Sequence, residues 1–125
     1  MLSKESTIML VDDSRLIRSA IKKHLTKLGY ENFIEASDGQ EAIDMHSQSP
    51  ADFIFMDIVM PSLNGDEALV KIRESDKNTP VVMLSSVSKE QVIKECAEQG
   101  ILGYILKPIA PQDGPQTLEK FLAMV

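Results

Sequence analysis

Apolar residues occur along this chain in short continuous runs, separated by longer segments of mixed character. Positions 8–11, 53–56 and 81–84 each hold four apolar residues in a row. Asn32–Ala36 and 104–106 are weaker runs of the same kind. Continuous rather than alternating apolarity is typical of strands that are covered on both faces, as in a parallel sheet. The pattern therefore predicts five buried parallel strands.

The segments between these runs have the spacing of amphipathic helices. The first helix is predicted to begin after Ser14, a favourable N-cap residue, and to stop at Gly29. Its apolar residues recur three or four positions apart: Ile17, Ile21, Leu25 and Leu28. A second helix is expected over about 40–47, and a third after the Asn64-Gly65 turn.

Two more helices complete the pattern. Ser88 is predicted to cap the fourth, and Pro115 to lie near the start of the fifth. The residues expected to face inward from the fourth helix are Val92, Ile93, Cys96 and Ala97. Alternating strands and helices predict an α/β fold, a doubly wound five-stranded parallel sheet with right-handed crossovers and five helices on two faces.

Composition narrows the functional classes. The 125 residues include 13 Lys and Arg against 19 Asp and Glu, a net charge of −6, and 43% are hydrophobic. An acidic chain without a basic stripe is not expected to bind nucleic acid directly. The longest apolar run is far below the roughly 20 residues of a membrane helix, so membrane insertion is not expected. Without a secretory signal and with one cysteine, Cys96, the expected compartment is the cytoplasm.

Polar residues follow the predicted strands at one consistent place. Asp12 and Asp13 follow the first strand, Asp57 ends the third, Ser85 ends the fourth and Lys107 follows the fifth. Taken singly, the acids at 12 and 13 could cap a helix and the lysine could be an ordinary exposed residue. The carboxyl ends of parallel strands share one edge, however, so these side chains are expected to converge there.

Three clustered carboxylates repel one another and require a cation. Oxygen ligands with no histidine or cysteine nearby favour Mg²⁺. Together with Lys107, such an ion would neutralise an incoming phosphoryl group. A carboxylate can act as the nucleophile in that transfer, and Asp57, the central acid, fits the role best.

Five segments carry a resemblance to a known family. They span 10–15 (LVDDSR), 35–42 (EASDGQEA), 56–65 (MDIVMPSLNG), 83–86 (MLSS) and 103–108 (GYILKP). In this order and at these separations the chain resembles the response regulator receiver domains, in particular the short chemotaxis-type, CheY-like members. The resemblance implies the strand order 2-1-3-4-5 and one receiver domain over 1–125 with no output domain.

The resemblance also implies roles for individual residues. Asp57 is the expected phosphoryl acceptor and, with Asp13, a direct Mg²⁺ ligand. Asp12 is expected to hold the ion through water, and Val59 through its backbone carbonyl. A phosphohistidine of a sensor histidine kinase or phosphotransfer protein is the implied donor.

Further implied roles concern the response to phosphorylation. Ser85 is expected to bond a phosphoryl oxygen, Lys107 to pair with the phosphate across a cis Lys107-Pro108 bond, and Tyr104 to act as the switch aromatic. An unidentified downstream protein would dock on the output face, which is made up of Glu90, Ile93, Ala97, Ile101 and Tyr104.

Two departures from the family pattern bear on function. The segment 110–115 is richer in proline and glycine than the usual short loop before the last helix, and this difference bears on the shape of the output face. Val59 and Val87, the positions that flank the acceptor, are aliphatic and cannot hold an attacking water, so slow autodephosphorylation is expected.

Two other functional hypotheses fit the sequence less well. A flavin-binding electron carrier of the same strand order needs a phosphate loop after the first strand, where this chain has Asp12 and Asp13. A phosphatase with an aspartyl nucleophile that resembles the haloacid dehalogenases would place it on the first strand in Asp-x-Asp spacing, whereas Asp12 and Asp13 are adjacent. His24 is predicted to be structural, His46 to be a solvated surface residue, and Cys96 to belong to the core.

Overall fold

The computed structural model describes residues 1–86 and 90–125. The predicted cap Ser88 and the flanking residue Val87 lie outside the described residues. Within them, five strands and five helices alternate along the chain: β1 (Thr7–Val11), α1 (Arg15–Lys27), β2 (Asn32–Ala36), α2 (Gly39–Gln48), β3 (Phe53–Asp57), α3 (Gly65–Ser75), β4 (Val81–Ser85), α4 (Glu90–Glu98), β5 (Gly103–Leu106) and α5 (Gly114–Leu122).

The strands form one parallel sheet in the order β2-β1-β3-β4-β5. Strand β1 lies between β2 and β3, at the point where the strand order reverses. Its Met9 pairs with Ile34 of β2 and with Ile54 of β3. Strands β3 and β4 are buried over their whole length, whereas the edge strands β2 and β5 are partly exposed. The predicted α/β fold and its strand order are confirmed.

Two apolar cores fill the two faces of the sheet. Successive strand residues point to opposite faces, so Met9 belongs to one core and Leu10 to the other. The first core includes residues of α2, α3 and α4, and the second includes residues of α1 and α5. Cys96 is buried in the first core, as predicted, and burial raises the pKa of its thiol to about 11. It is therefore a packing residue and not a reactive thiol.

Local sequence determines where the helices begin and end. The Ser14 hydroxyl accepts a hydrogen bond from the Ile17 amide, and the Asp38 carboxylate accepts one from the Glu41 amide. Gly29 has a φ of +101°, which suits a helix stop. The expectation that Ala97 faces inward is wrong. It is exposed, because each residue of a helix is turned by about 100° from the last and Cys96 takes the inward direction.

The N-terminal segment is joined to the last helix. The Leu2 amide donates to the Leu122 carbonyl at 3.0 Å, and the Leu2 carbonyl accepts from the Tyr30 hydroxyl at 2.7 Å. The Tyr30 ring is fully buried, and the Lys4 ammonium lies 4.3 Å from its centroid. Residues near the two chain termini are therefore neighbours on the α1 and α5 side of the sheet.

Candidate functional site

Four charged side chains converge at the carboxyl edge of the sheet. The Lys107 Nζ atom lies 3.0 Å from Asp12 Oδ2 and 3.2 Å from Asp57 Oδ2. One carboxylate oxygen each of Asp12, Asp13 and Asp57 lies within 4.8 Å of the others. Asp12 and Asp57 are buried, whereas Asp13 is exposed at the mouth. We call this group, Asp12, Asp13, Asp57 and Lys107, the acidic pocket.

The acidic pocket holds more negative charge than its lysine can balance. Burial raises the pKa of the Asp57 carboxyl, the nearby Asp12 charge raises it further, and Lys107 offsets only part of this effect. Burial alone would lower the pKa of Lys107, but its contacts with Asp12 and Asp57 raise it, so the side chain is an ammonium. Three carboxylates around one ammonium favour the entry of a further cation.

The donor atoms of the acidic pocket fit a hard divalent cation. They are all carboxylate oxygens, the ligand type that Mg²⁺ prefers. Both oxygens of Asp12 already accept hydrogen bonds, Oδ1 from the Ser14 amide at 2.9 Å and Oδ2 from Lys107 at 3.0 Å. The chemistry of the pocket is therefore consistent with an ion that lies nearer to Asp13 and Asp57.

The loop after β3 is packed closely against the acidic pocket. The Gly65 amide donates to the Ile58 carbonyl at 2.7 Å. A Cβ atom at position 65 would lie only 1.9 Å from the Asp57 carbonyl oxygen. Glycine is thus required at the start of α3 for the loop to turn back against the residue that ends β3.

A strained turn lies in the same loop. Ser62 has a φ of +65°, and the Leu63 amide donates to the Pro61 carbonyl at 2.7 Å. A hydrogen bond between residues two apart around a positive φ is the geometry of a γ-turn, which is rare and strained. The Leu63 carbonyl in turn accepts from the Gly39 amide, which joins this loop to the start of α2.

Strands β4 and β5 also end beside the pocket. Ser85 is buried, and its carbonyl accepts a 2.7 Å hydrogen bond from the Lys107 amide. The Lys107-Pro108 bond is cis, which confirms that prediction. Tyr104 is 42% exposed and Val59 is 53% exposed.

The residues predicted for the output face belong to α4, to β5 and to the loop between them. Glu90, Ala97 and Tyr104 are exposed, whereas Ile93 and Ile101 are half-buried. The face therefore offers a surface of mixed polarity.

Sequence reasoning missed Arg18. Its Nη1 donates to the Asp12 carbonyl at 2.6 Å, and its Nε donates to Glu35 at 3.0 Å. An arginine in the second turn of a helix is usually a solvated residue, and nothing in its spacing indicated a carbonyl partner.

The prediction that His46 is a solvated surface residue is wrong. The ring is 6% exposed and bridges two loops. Its Nδ1 accepts from the Ala51 amide at 3.0 Å, so its Nε2 donates to Asp76 at 2.7 Å. The loop between α3 and β4 covers this helix end, which could not be inferred from the helix alone. His24 is buried beneath Gly114, in line with its predicted structural role.

Arg73 is a second missed residue. It is 7% exposed, and its guanidinium donates to four backbone carbonyls. These carbonyls belong to Asp76 (3.0 Å), Thr79 (2.7 Å), Gln99 (3.1 Å) and Gly100 (2.8 Å). The arginine thus joins the end of α3 to the end of α4.

The structure is thus a doubly wound α/β domain with a lysine-bridged acidic pocket at the carboxyl edge of its sheet. The family model described as "Response regulator receiver domain" matches residues 8–119, and the chain belongs to that family. It is a CheY-like receiver domain of a two-component response regulator.

Curated relatives and solved structures agree with this assignment. The chemotaxis protein CheY of Thermotoga maritima is 32% identical over 113 residues, 90% of this chain and 94% of that protein. CheY-3 of Vibrio cholerae is 36% identical over 121 residues, 95% and 93% of the two chains. The CheX-CheY-BeF3-Mg complex from Borrelia burgdorferi matches with a TM-score of 0.85 and 30% identity, over 95% of this chain and 88% of that chain.

The lengths and compositions of the described helices bear on whether they could cross a membrane. No helix within residues 1–86 and 90–125 combines the length and the apolar composition needed to cross a bilayer.

Proposed function

We propose that this protein is a phosphorylation-operated switch that accepts a phosphoryl group on Asp57 from a phosphohistidine. A sensor histidine kinase or a phosphotransfer protein is the donor. The observation that carries the proposal is the buried Asp57 carboxylate, 3.2 Å from the Lys107 ammonium and close to two further carboxylates. Such an arrangement suits a nucleophile that receives an anionic group.

In the proposed transfer, an Asp57 oxygen attacks phosphorus while the phosphorus–nitrogen bond of the donor breaks. The other ring nitrogen of the donor carries a proton taken from the solvent before that bond breaks, so the donor leaves as a neutral imidazole. Lys107 pairs with the phosphoryl oxygens and keeps its proton throughout, in agreement with its raised pKa. Residues 1–125 would act as a single receiver domain in this reaction.

Mg²⁺ is the proposed cofactor, and when bound it would neutralise charge on the phosphoryl oxygens. Asp13, Asp57 and the Val59 carbonyl would hold it directly. Asp12 would reach it through water, which is supported by the two hydrogen bonds that already occupy its carboxylate. The Borrelia burgdorferi complex was solved with Mg and BeF3, which supports the same ion for this chain.

The proposed output is a change in protein binding. The Ser85 hydroxyl would bond a phosphoryl oxygen and draw the end of β4 inward, and Tyr104 would turn from its exposed position toward the interior. A partner docked on the output face would sense that ring. Coupling of this kind is typically worth about 1–3 kcal/mol.

The proposed phosphoryl group is long-lived. Val59 is exposed beside the acceptor and carries no polar side-chain atom that could hold an attacking water. The protein would therefore catalyse its own phosphorylation and only a slow autodephosphorylation, without the steady turnover of a phosphatase.

The decisive experiment is incubation with acetyl phosphate, with Mg²⁺ or with a chelator, followed by intact mass. The wild type should gain one phosphoryl group only with Mg²⁺, and Asp57→Asn should gain none. Asp44→Asn, which alters an exposed aspartate of α2, is the matched control and should behave as the wild type. A phosphorylated Asp57→Asn protein would refute the assignment, and steady hydrolysis of a phosphomonoester would favour a phosphatase.

A further inference from the structure

The side chain of Arg18 connects three elements behind the acidic pocket. From α1 it donates to the carbonyl of Asp12, directly after β1, and to the carboxylate of Glu35 in β2. Its side chain is only 15% exposed. Lys22, one turn further along α1, lies 3.6 Å from the other oxygen of Glu35, and its side chain is 47% exposed. Arg18 is therefore the member of this ion group that touches the backbone of the pocket.

The hydrogen bond to the Asp12 carbonyl fixes a whole peptide unit. Because the peptide group is planar, holding that carbonyl also sets the direction of the Asp13 amide and the position of its Cα atom. The Asp12 amide is held as well, by the Ala36 carbonyl at 3.1 Å. The Asp13 side chain is exposed, so its direction depends on the backbone that carries it.

We propose that Arg18 is a positioning residue of the metal site. By holding the peptide between Asp12 and Asp13, it directs the Asp13 carboxylate to the place where it can share a divalent cation with Asp57. The inference rests on the proposed function only in taking the acidic pocket to be a Mg²⁺ site.

Electrostatics and positioning predict opposite effects when Arg18 is changed. Arg18 is a cation close to the pocket, so its charge opposes the entry of a second cation. If charge alone mattered, neutralising Arg18 would strengthen Mg²⁺ binding. If Arg18 positions Asp13, its loss would weaken binding, since the ion would have to order the carboxylate itself.

The test is a titration of ¹⁵N-labelled protein with Mg²⁺, followed by NMR at the Asp13 and Asp57 amides. Arg18→Gln should raise the Kd for Mg²⁺ about tenfold, the lower end of the range for residues that orient metal ligands. It should also shift the Asp13 amide resonance before any metal is added. Arg18→Lys keeps the charge but cannot donate to both partners, so its Kd should rise by a smaller factor.

Lys22→Gln is the matched control, because it removes the same charge from the same ion group without touching the Asp12 carbonyl. Its Kd should stay the same or fall slightly. Urea unfolding in chelator identifies any variant that is simply less stable, and the Kd is compared only among folded proteins. An unchanged or lower Kd in both Arg18 variants would overturn the proposal. Absence of Mg²⁺ binding in the wild type would instead overturn the metal site and the proposal together.

Discussion

Two groups of polar side chains lie at opposite edges of the sheet, and the pKa values of their carboxyl groups shift in opposite directions. At the carboxyl edge, three carboxylates surround Lys107, and burial raises the pKa of Asp57. At the amino edge, His46, Asp76 and Arg73 contact one another or nearby backbone. Burial alone would raise the pKa of Asp76, but its hydrogen bonds hold that pKa well below its usual range.

The direction of the shift distinguishes a stabilising cluster from a functional one. A carboxyl group whose pKa falls on folding stabilises the fold, whereas one whose pKa rises is charged at a cost. Four hydrogen bonds reach Asp76, from the His46 ring, the Thr79 hydroxyl and the amides of Asn78 and Thr79. Changes at the amino edge should therefore destabilise the protein, and neutralising an acid at the carboxyl edge should not.

The largest effect is expected from Arg73→Met, which keeps an apolar stem but removes the donors to four carbonyls. The free energy of unfolding should fall by about 3 kcal/mol, since several hydrogen bonds to a buried charge are lost at once. Urea denaturation measures it. Lys71→Met, at an exposed position of the same helix, should change stability by less than about 0.5 kcal/mol. Equal losses in the two variants would show that the amino-edge cluster is not stabilising.

Asp76→Asn should cost about 2 kcal/mol at neutral pH, because an amide cannot accept from all the donors around this position. The folded-state pKa of Asp76 lies below the ordinary value of 3.8, so its stabilisation is complete above about pH 5 and is lost as the pH falls toward the folded-state pKa. The gap between wild type and variant should narrow below pH 4 in urea titrations. A gap that stays constant down to the acid transition would argue against a role for the charge.

Asp57→Asn should change the free energy of unfolding in the opposite direction. In chelator, removal of one of three clustered carboxylates should raise the free energy of unfolding by about 1 kcal/mol, although one contact to Lys107 is weakened. Added Mg²⁺ should stabilise the wild type more than the variant, because the ion binds the folded state. A loss comparable to that of Asp76→Asn would remove the contrast between the two edges.

The smallest effect concerns backbone strain in the loop beside the acidic pocket. Ser62→Gly should stabilise the protein by about 0.5 kcal/mol, the relief of a positive φ less the extra entropy of glycine in the unfolded chain. Ser47→Gly, in the last turn of helix α2, should instead cost about 0.3 kcal/mol. Thermal unfolding of the pair tests the sign. Destabilisation by both glycines would mean that the Ser62 turn carries no strain.

Much of the fold could be predicted because strands covered on both faces are apolar at every position. This holds for β3 and β4, whose predicted limits differ from the observed ones by one residue. The convergence of Asp12, Asp57 and Lys107 could be predicted too, since parallel strands end at a common edge. Neither inference required any knowledge of side-chain contacts.

The roles of Arg18, Arg73 and His46 could not be predicted in this way. Each bonds to backbone groups. Because every residue possesses these groups, the residue types in the sequence do not indicate which of them become partners. The carbonyls that Arg73 contacts lie 3 to 27 residues away along the chain. A polar or charged residue near the end of a helix is usually solvated, and only the packed structure shows that these three are not.

The hydrogen bond between Leu2 and Leu122 has a consequence for the connectivity of the fold. Because those residues are adjacent, a short flexible linker could join the terminal segments into a ring with little distortion. The ring could be reopened in the exposed loop at 111–113, which precedes α5. Such a circular permutant would retain the sheet order and would carry its new termini at the carboxyl edge of the sheet, where an attached fluorophore could report on that edge.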